Sequence, residues 1–271
     1  VSSAAWSPFF VAFAIGQNFV APLYAWIAIL IGAVSAVLFT LVTLLLVNRG
    51  FALAELNMSL ACLRPVATRL AIVLVSVLAV ALAFGLTALS AVVVVMPVLV
   101  LVQLFRHRDK AVTILAQTRE SMNSTADDLV VITAAMLVAF FATQNDSLAS
   151  VVGAIYPNQI PGWAALVITP VAMMLLSVAG IHPVITSTAL LATFSGGGAD
   201  AHPALLMQAH LIGWGAGTMS SVASLSVLTC GGLYRVPTRQ LVFGHNMLSG
   251  FFYALAGGAL LAAVNFGLGR I

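Results

Sequence analysis

The sequence predicts an all-α polytopic membrane protein made of inverted repeats with interrupted helices, and three observations support that class. First, 62% of the 271 residues are hydrophobic and 6% are charged, with a mean hydropathy of +1.14. A soluble domain carries about 25% charged residues, so most of this surface is expected to face lipid. Second, the few charges are segregated: residues 1–48 carry none, and no Lys or Arg occurs between Arg119 and Arg235. Third, two serine-rich segments interrupt the apolar pattern, each roughly twenty residues ahead of one long uninterrupted apolar span.

The basic residues set an orientation. Arg49, Arg64 and Arg69 form one cluster, Arg106, Arg108, Lys110 and Arg119 a second, and Arg235 with Arg239 a third. Under the positive-inside rule, loops 49–69, 106–127 and 234–240 are cytoplasmic. Loops 145–162 and 195–201, with Asp146 and Asp200 as their charges, are then external.

The elements follow in order. Pro22 to Val47 is uncharged and long enough to cross, ending inside at Arg49. Leu70 to Phe105 is uncharged with basic clusters at both ends, so it crosses twice, turning near Gly85 to Ser90. The stretch 106–127 is expected to be an amphipathic or loop-like connector. Leu129 to Gln144 goes out, Trp163 to Ala179 returns, and Gly180-Ile181-His182-Pro183 makes a break, because proline disfavours a helical residue before it. Val184 to Phe194 leads out to a Ser195-to-Asp200 turn. Nothing alternates with the two-residue period of a membrane β-barrel.

The two interrupted segments are Ser2 to Phe10 with Gly16-Gln17-Asn18, and Gly217 to Ser226 with Thr229 to Gly232. The long spans after them are Pro22 to Val47 and Leu241 to Gly267. The charge pattern runs the first inward and the second outward, so the two units are inverted. The expected division is a first repeat over 1–105, the connector 106–127, and a second repeat over 128–271. The opening at Val1 has no basic region or cleavage site, and the chain is expected to be a fragment that truncates the first repeat.

A helix that unwinds inside a bilayer must turn its freed N–H and C=O groups toward protein or water. Helix N-termini then attract anions, while carbonyls and hydroxyls can hold a cation. The expected substrate-binding residues are therefore Ser2, Ser3, Ser7, Asn18, Ser220, Ser221 and Ser224. Gln17 and Asn18 have a second reading as caps, and the serines as small helix-packing residues. His182 and His210 are candidates for holding a coupling ion, or else neutral imidazoles bonded to a neighbour; His245 fits the latter better. Asp200 is a gate or a solvated turn, the turn being favoured.

Gly180-Ile181-His182-Pro183-Val184, the short span after it, Ser220 to Ser226, Gly231-Gly232 and Val242-Phe243-Gly244 resemble the second half of permeases of the ion transporter superfamily. That group includes sodium-coupled dicarboxylate symporters and relatives for other anions. The resemblance implies that Ser220 to Ser224 occupy the helix break, with Ser2 to Pro8 as its partner in the first repeat. It also implies a secondary transporter for a small anionic solute, coupled to Na⁺ or H⁺, multi-pass in a bacterial inner membrane, with no cofactor beyond Na⁺. Oligomeric state is left open, a homodimer being one option.

Other classes are weaker. The pI near 9.2 comes from a net +3 with no basic stripe, which excludes a nucleic-acid partner. Cys62 and Cys230 have no CxxC or zinc spacing. No Walker, haem-ligating or Rossmann motif is present. The alternatives to transport are an intramembrane serine protease pairing Ser220 with His210 or His245, and a scaffold subunit that transports nothing.

Overall fold

The computed structural model describes Ser7 and residues 10–47, 53–86, 88–144, 160–195, 198–222 and 224–269. It is 83% helical. Among the described residues there is no strand, only an isolated bridge between Ile160 and Ala199. The helices are α1 (Val11–Gly16), α2 (Pro22–Val47), α3 (Leu53–Phe84), α4 (Ala88–Arg106), α5 (Ala111–Gln144), α6 (Gly162–Val178), α7 (Pro183–Phe194), α8 (Pro203–Ser220), α9 (Leu225–Tyr234), α10 (Thr238–Val242) and α11 (His245–Gly267).

Three segments are long and apolar enough to cross a membrane: Leu23–Val42, Ala67–Phe84 and Thr238–Gly267. A fourth arises if Ser90–Arg106 and Arg108–Glu120, bent by 106° at their junction, count as one. Val75 (65%), Leu82 (71%) and Phe84 (74%) stand open on α3, and Val93 (67%) on α4. Large contiguous apolar faces of this kind are rare on soluble monomers.

The chain divides into two compact units, Val1–Phe39 with Ile132–Ile271, and Thr40–Val131. In the second, α3 and α4 form a hairpin whose buried positions include Val77, Ala91 and Val95. Gly85 permits the turn: it adopts φ +63, and the Leu86 N–H reaches back to the Ala81 carbonyl at 3.0 Å, closing α3 with a Schellman-type cap. The hairpin puts Arg69 and Arg106 at the same end. A single cysteine at Lys110 and another at Leu86, in a chain with Cys62 and Cys230 replaced by serine, are therefore expected on opposite sides of a proteoliposome membrane. Labelling both from one side with an impermeant thiol reagent would contradict this.

Two expected loops are helical. The connector 106–127 is a 3₁₀ turn, Arg108–Lys110, running into α5, which continues unbroken to Gln144. Its Gln117-to-Asp128 portion contains neither Gly nor Pro, so polarity alone does not interrupt the helix. Likewise α3 starts at Leu53, inside the expected loop 49–69. The long span expected from Leu241 is broken at Phe243-Gly244, separating α10 from α11. Gly244 sits at φ −100, ψ −146, and a Cβ there would lie 2.8 Å from the Gln240 carbonyl oxygen.

In the first unit α8 is central, with fifteen of its eighteen residues buried. Glycines let its neighbours approach. A Cβ at Gly213 would meet Pro170 Cα at 2.8 Å and Met173 Sδ at 2.9 Å on α6, and one at Gly217 would meet Ser177 Oγ at 2.6 Å. Helix α11 packs through Gly250, Gly257 and Gly258. At Gly258 the approach is to the Leu166 carbonyl, 2.9 Å from an added Cβ; Pro170 lies four residues after Leu166 and has no N–H to offer it. Helices α6 and α8 run parallel, and α11 runs antiparallel to both.

At one end of this unit Asn265 of α11 ties the chain together. Its Oδ1 accepts from the His202 N–H at 2.8 Å, and its Nδ2 donates to the Asp200 carbonyl at 3.0 Å. Tyr24, near the start of α2, stacks edge-on against His202, with ring centroids 5.1 Å apart. The start of α2, the start of α6, residues 198–202 and the end of α11 thus gather at one end. These are the chain positions that the charge pattern assigns to a single side.

Candidate functional site

Helix α8 ends at Ser220, and the chain is extended at Ser221 (φ −100, ψ 128) and again at Ser224 (φ −72, ψ 130) before α9 begins. The helix is therefore interrupted within Ser220 to Ser226. The Ser221 carbonyl accepts from the Ser224 N–H at 3.2 Å, and Ser224 caps α9, its Oγ accepting from the Val227 N–H at 3.4 Å. Ser220 is fully buried and Ser221 nearly so. The Ser220 hydroxyl has no hydrogen-bond partner and lies against the α11 backbone at Gly250, where an added Cβ would be 2.8 Å away. A hydroxyl in that position is costly unless it meets water or a solute.

The other expected binding residues are only partly placed. Ser2 and Ser3 lie outside the described residues, as does the loop 145–159. Ser7 is half-buried, its carbonyl accepting from the Phe10 N–H at 3.2 Å. Asn18 is exposed in the turn between α1 and α2, its N–H bonded to the Ile15 carbonyl, so it does not line the bundle interior. Helix α1 runs antiparallel to α8: Gly16 lies against Met207 and His210, whereas Phe10 meets Trp214 edge-on at 6.3 Å.

His182 and His210 flank one side chain, Trp214, at ring-centroid distances of 6.3 and 5.9 Å. His182 caps α7, its Nδ1 accepting from the Val184 N–H at 3.2 Å. His210 is fully buried, and its Nε2 pairs with the Ala12 carbonyl at 2.8 Å. As the carbonyl can only accept, Nε2 carries the hydrogen and Nδ1 is a bare acceptor with no partner.

The structure adds residues that sequence reasoning passed over. Gln208 is fully buried with both amide atoms unpartnered, and the Thr186 and Ser187 hydroxyls on α7 are in the same state. Thr169, Ser177, Thr188 and Thr193 instead bond back to the carbonyl four residues earlier. The available signal for Gln208 was an amide in the middle of an apolar helix. Trp214 offered none beyond its size.

Ser220 and His210 lie ten residues apart on one helix, about 15 Å along its axis. His245 is exposed, and the Ser220 hydroxyl makes no hydrogen bond. The pairing that a serine protease requires is not made in this arrangement. No family model, curated protein or solved structure matches the chain.

Proposed function

We propose that this chain is part of a multi-pass secondary transporter of a bacterial inner membrane. It moves a small anionic solute, coupled to Na⁺ or H⁺, through a site at the Ser220 to Ser224 break. The observation that carries the reading is a helix interrupted where Ser220 and Ser221 are buried against the bundle, with the Ser220 hydroxyl unpartnered. The break turns the C-terminal end of α8 and the N-terminal end of α9 toward each other along the chain. The first offers carbonyls to a cation and the second offers N–H groups to an anion. The unpartnered Gln208 amide and His210 Nδ1 extend polar capacity along α8, and His210 and His182 are the candidates for holding a coupling proton.

The test is uptake of labelled small anions by proteoliposomes holding the full chain, under a Na⁺ or pH gradient. Ser221→Leu is expected to abolish uptake of any transported anion without unfolding the protein. Ser221→Ala removes one hydroxyl and is expected to weaken binding by about 1 kcal/mol, roughly fivefold. Uptake unchanged in Ser221→Leu would contradict the site.

A further inference from the structure

Two of the five histidines occur in the same local arrangement, His182-Pro183-Val184 and His202-Pro203-Ala204. Each is the N-cap of its helix, with proline at the first helical position and nearly identical backbone angles: φ −64, ψ 133 for His182 and φ −63, ψ 129 for His202. In each, Nδ1 accepts from the N–H two residues on, at 3.2 Å to Val184 and 3.3 Å to Ala204. Each ring also stands edge-on to an aromatic side chain, Trp214 for His182 and Tyr24 for His202. Histidine is an unusual cap, since Ser, Thr, Asp and Asn are preferred, and it differs from all of these in changing charge between about pH 5 and 8.

We propose that His182 and His202 are a matched pair of proton-binding sites whose protonation uncaps α7 and α8 together. A proton taken from water by Nδ1 turns that nitrogen from acceptor to donor. It then faces the Val184 or Ala204 N–H with a hydrogen of its own, and the cap bond is lost. The charge acquired also sits at the positive end of a helix dipole. Helices α1 and α6 carry no titratable side chain, and α8 presents His210 to His182 across Trp214. Around His202 are Asp200, two residues back, Tyr24 of α2 and the neutral Asn265 of α11. The consequence falls on the helix pair that flanks the Trp214 cluster, because α7 is short and is held at its start by the Gly180 turn and this cap. There the Gly180 N–H bonds the Ser177 carbonyl at 3.1 Å and the Ile181 N–H bonds the Leu176 carbonyl at 2.9 Å. The proposal stands whether or not the chain transports anything.

The experiment is the thermal midpoint of the full chain in detergent at about pH 8 and about pH 5.5, spanning the ordinary range of histidine. Wild type is expected to lose stability at the acid pH. His182→Asn with His202→Asn keeps a capping side chain that does not titrate, and is expected to remove most of that loss. His182→Ala with His202→Ala is expected to be destabilised already at pH 8 and to fall no further on acidification than the asparagine variant. His107, His210 and His245 are common to all three proteins, so the difference between them isolates the caps. A wild-type midpoint that does not fall, or an asparagine variant that falls as far as wild type, overturns the proposal.

Discussion

Gly258→Leu is expected to leave no folded bundle, while Gly267→Ala leaves stability unchanged. Both glycines lie on α11, yet an added Cβ at Gly267 meets nothing within 4 Å, whereas at Gly258 it lies 2.9 Å from both the Leu166 carbonyl oxygen and Val167 Cα. Backbone on α6 cannot swing aside as a flexible side chain would, and Pro170 Cγ, 3.2 Å from the same position, closes the remaining direction. Overpacking by one or two carbons costs about 1–3 kcal/mol, so Gly258→Ala is expected in that range and leucine beyond it. Monodispersity in detergent and the thermal midpoint read both outcomes. A Gly258→Leu protein as stable as wild type would mean that α6 and α11 are not in close contact.

Asn265→Leu is the second large effect. The side chain is buried at the end of α11, and its two amide atoms satisfy the His202 N–H and the Asp200 carbonyl. Leucine keeps a branched side chain of four heavy atoms but can neither donate nor accept, so both backbone groups lose their partner. Each unsatisfied group costs about 1–3 kcal/mol. Asn265→Asp is expected to lie between leucine and wild type: it still accepts from the His202 N–H but sets a carboxylate against the Asp200 carbonyl. Thermal midpoints rank the three, and faster hydrogen exchange at the His202 amide locates the loss. Equal stability of all three would show that the clamp contributes nothing.

The features legible in the sequence were those with a strong local cause. Pro22, the Gly85 turn and Gly180-Ile181-His182-Pro183 fall where glycine and proline put them. The interruption after Ser220 was legible for the same reason: serines compete for backbone hydrogen bonds and favour caps, as Ser224 does. Polarity misled where it was not accompanied by a helix breaker, which is why 106–127 and the start of α3 are helical. The Gly244 break was missed because one glycine in an apolar helix more often serves packing, as Gly250, Gly257 and Gly258 do.

The buried polar set was less legible, because it depends on which face of a helix meets which neighbour. Gln208 and His210 are two residues apart on a helix buried on every side, and no hydrophobic stripe distinguishes their faces. The meeting of His182 with His210 around Trp214 joins residues on separate helices, which spacing along the chain does not encode. The pairing of His182 with His202 as caps was present in the sequence as a repeated His-Pro dipeptide. It acquires meaning only once both are seen at helix starts.

Ligand-induced stabilisation of the purified chain tests the proposed solute site at the Ser220 to Ser224 break most directly. Thermal midpoints would be measured against a panel of small organic and inorganic anions, each with and without Na⁺, at about pH 7. A ligand at a hundred times its Kd stabilises by about 2.7 kcal/mol, well within reach of the method. At least one anion is expected to raise the midpoint of wild type, and that rise is expected to disappear in Ser221→Leu, measured against the variant's own midpoint without anion. A wild-type chain that no anion stabilises, or a stabilisation that persists unchanged in Ser221→Leu, would contradict the proposed site.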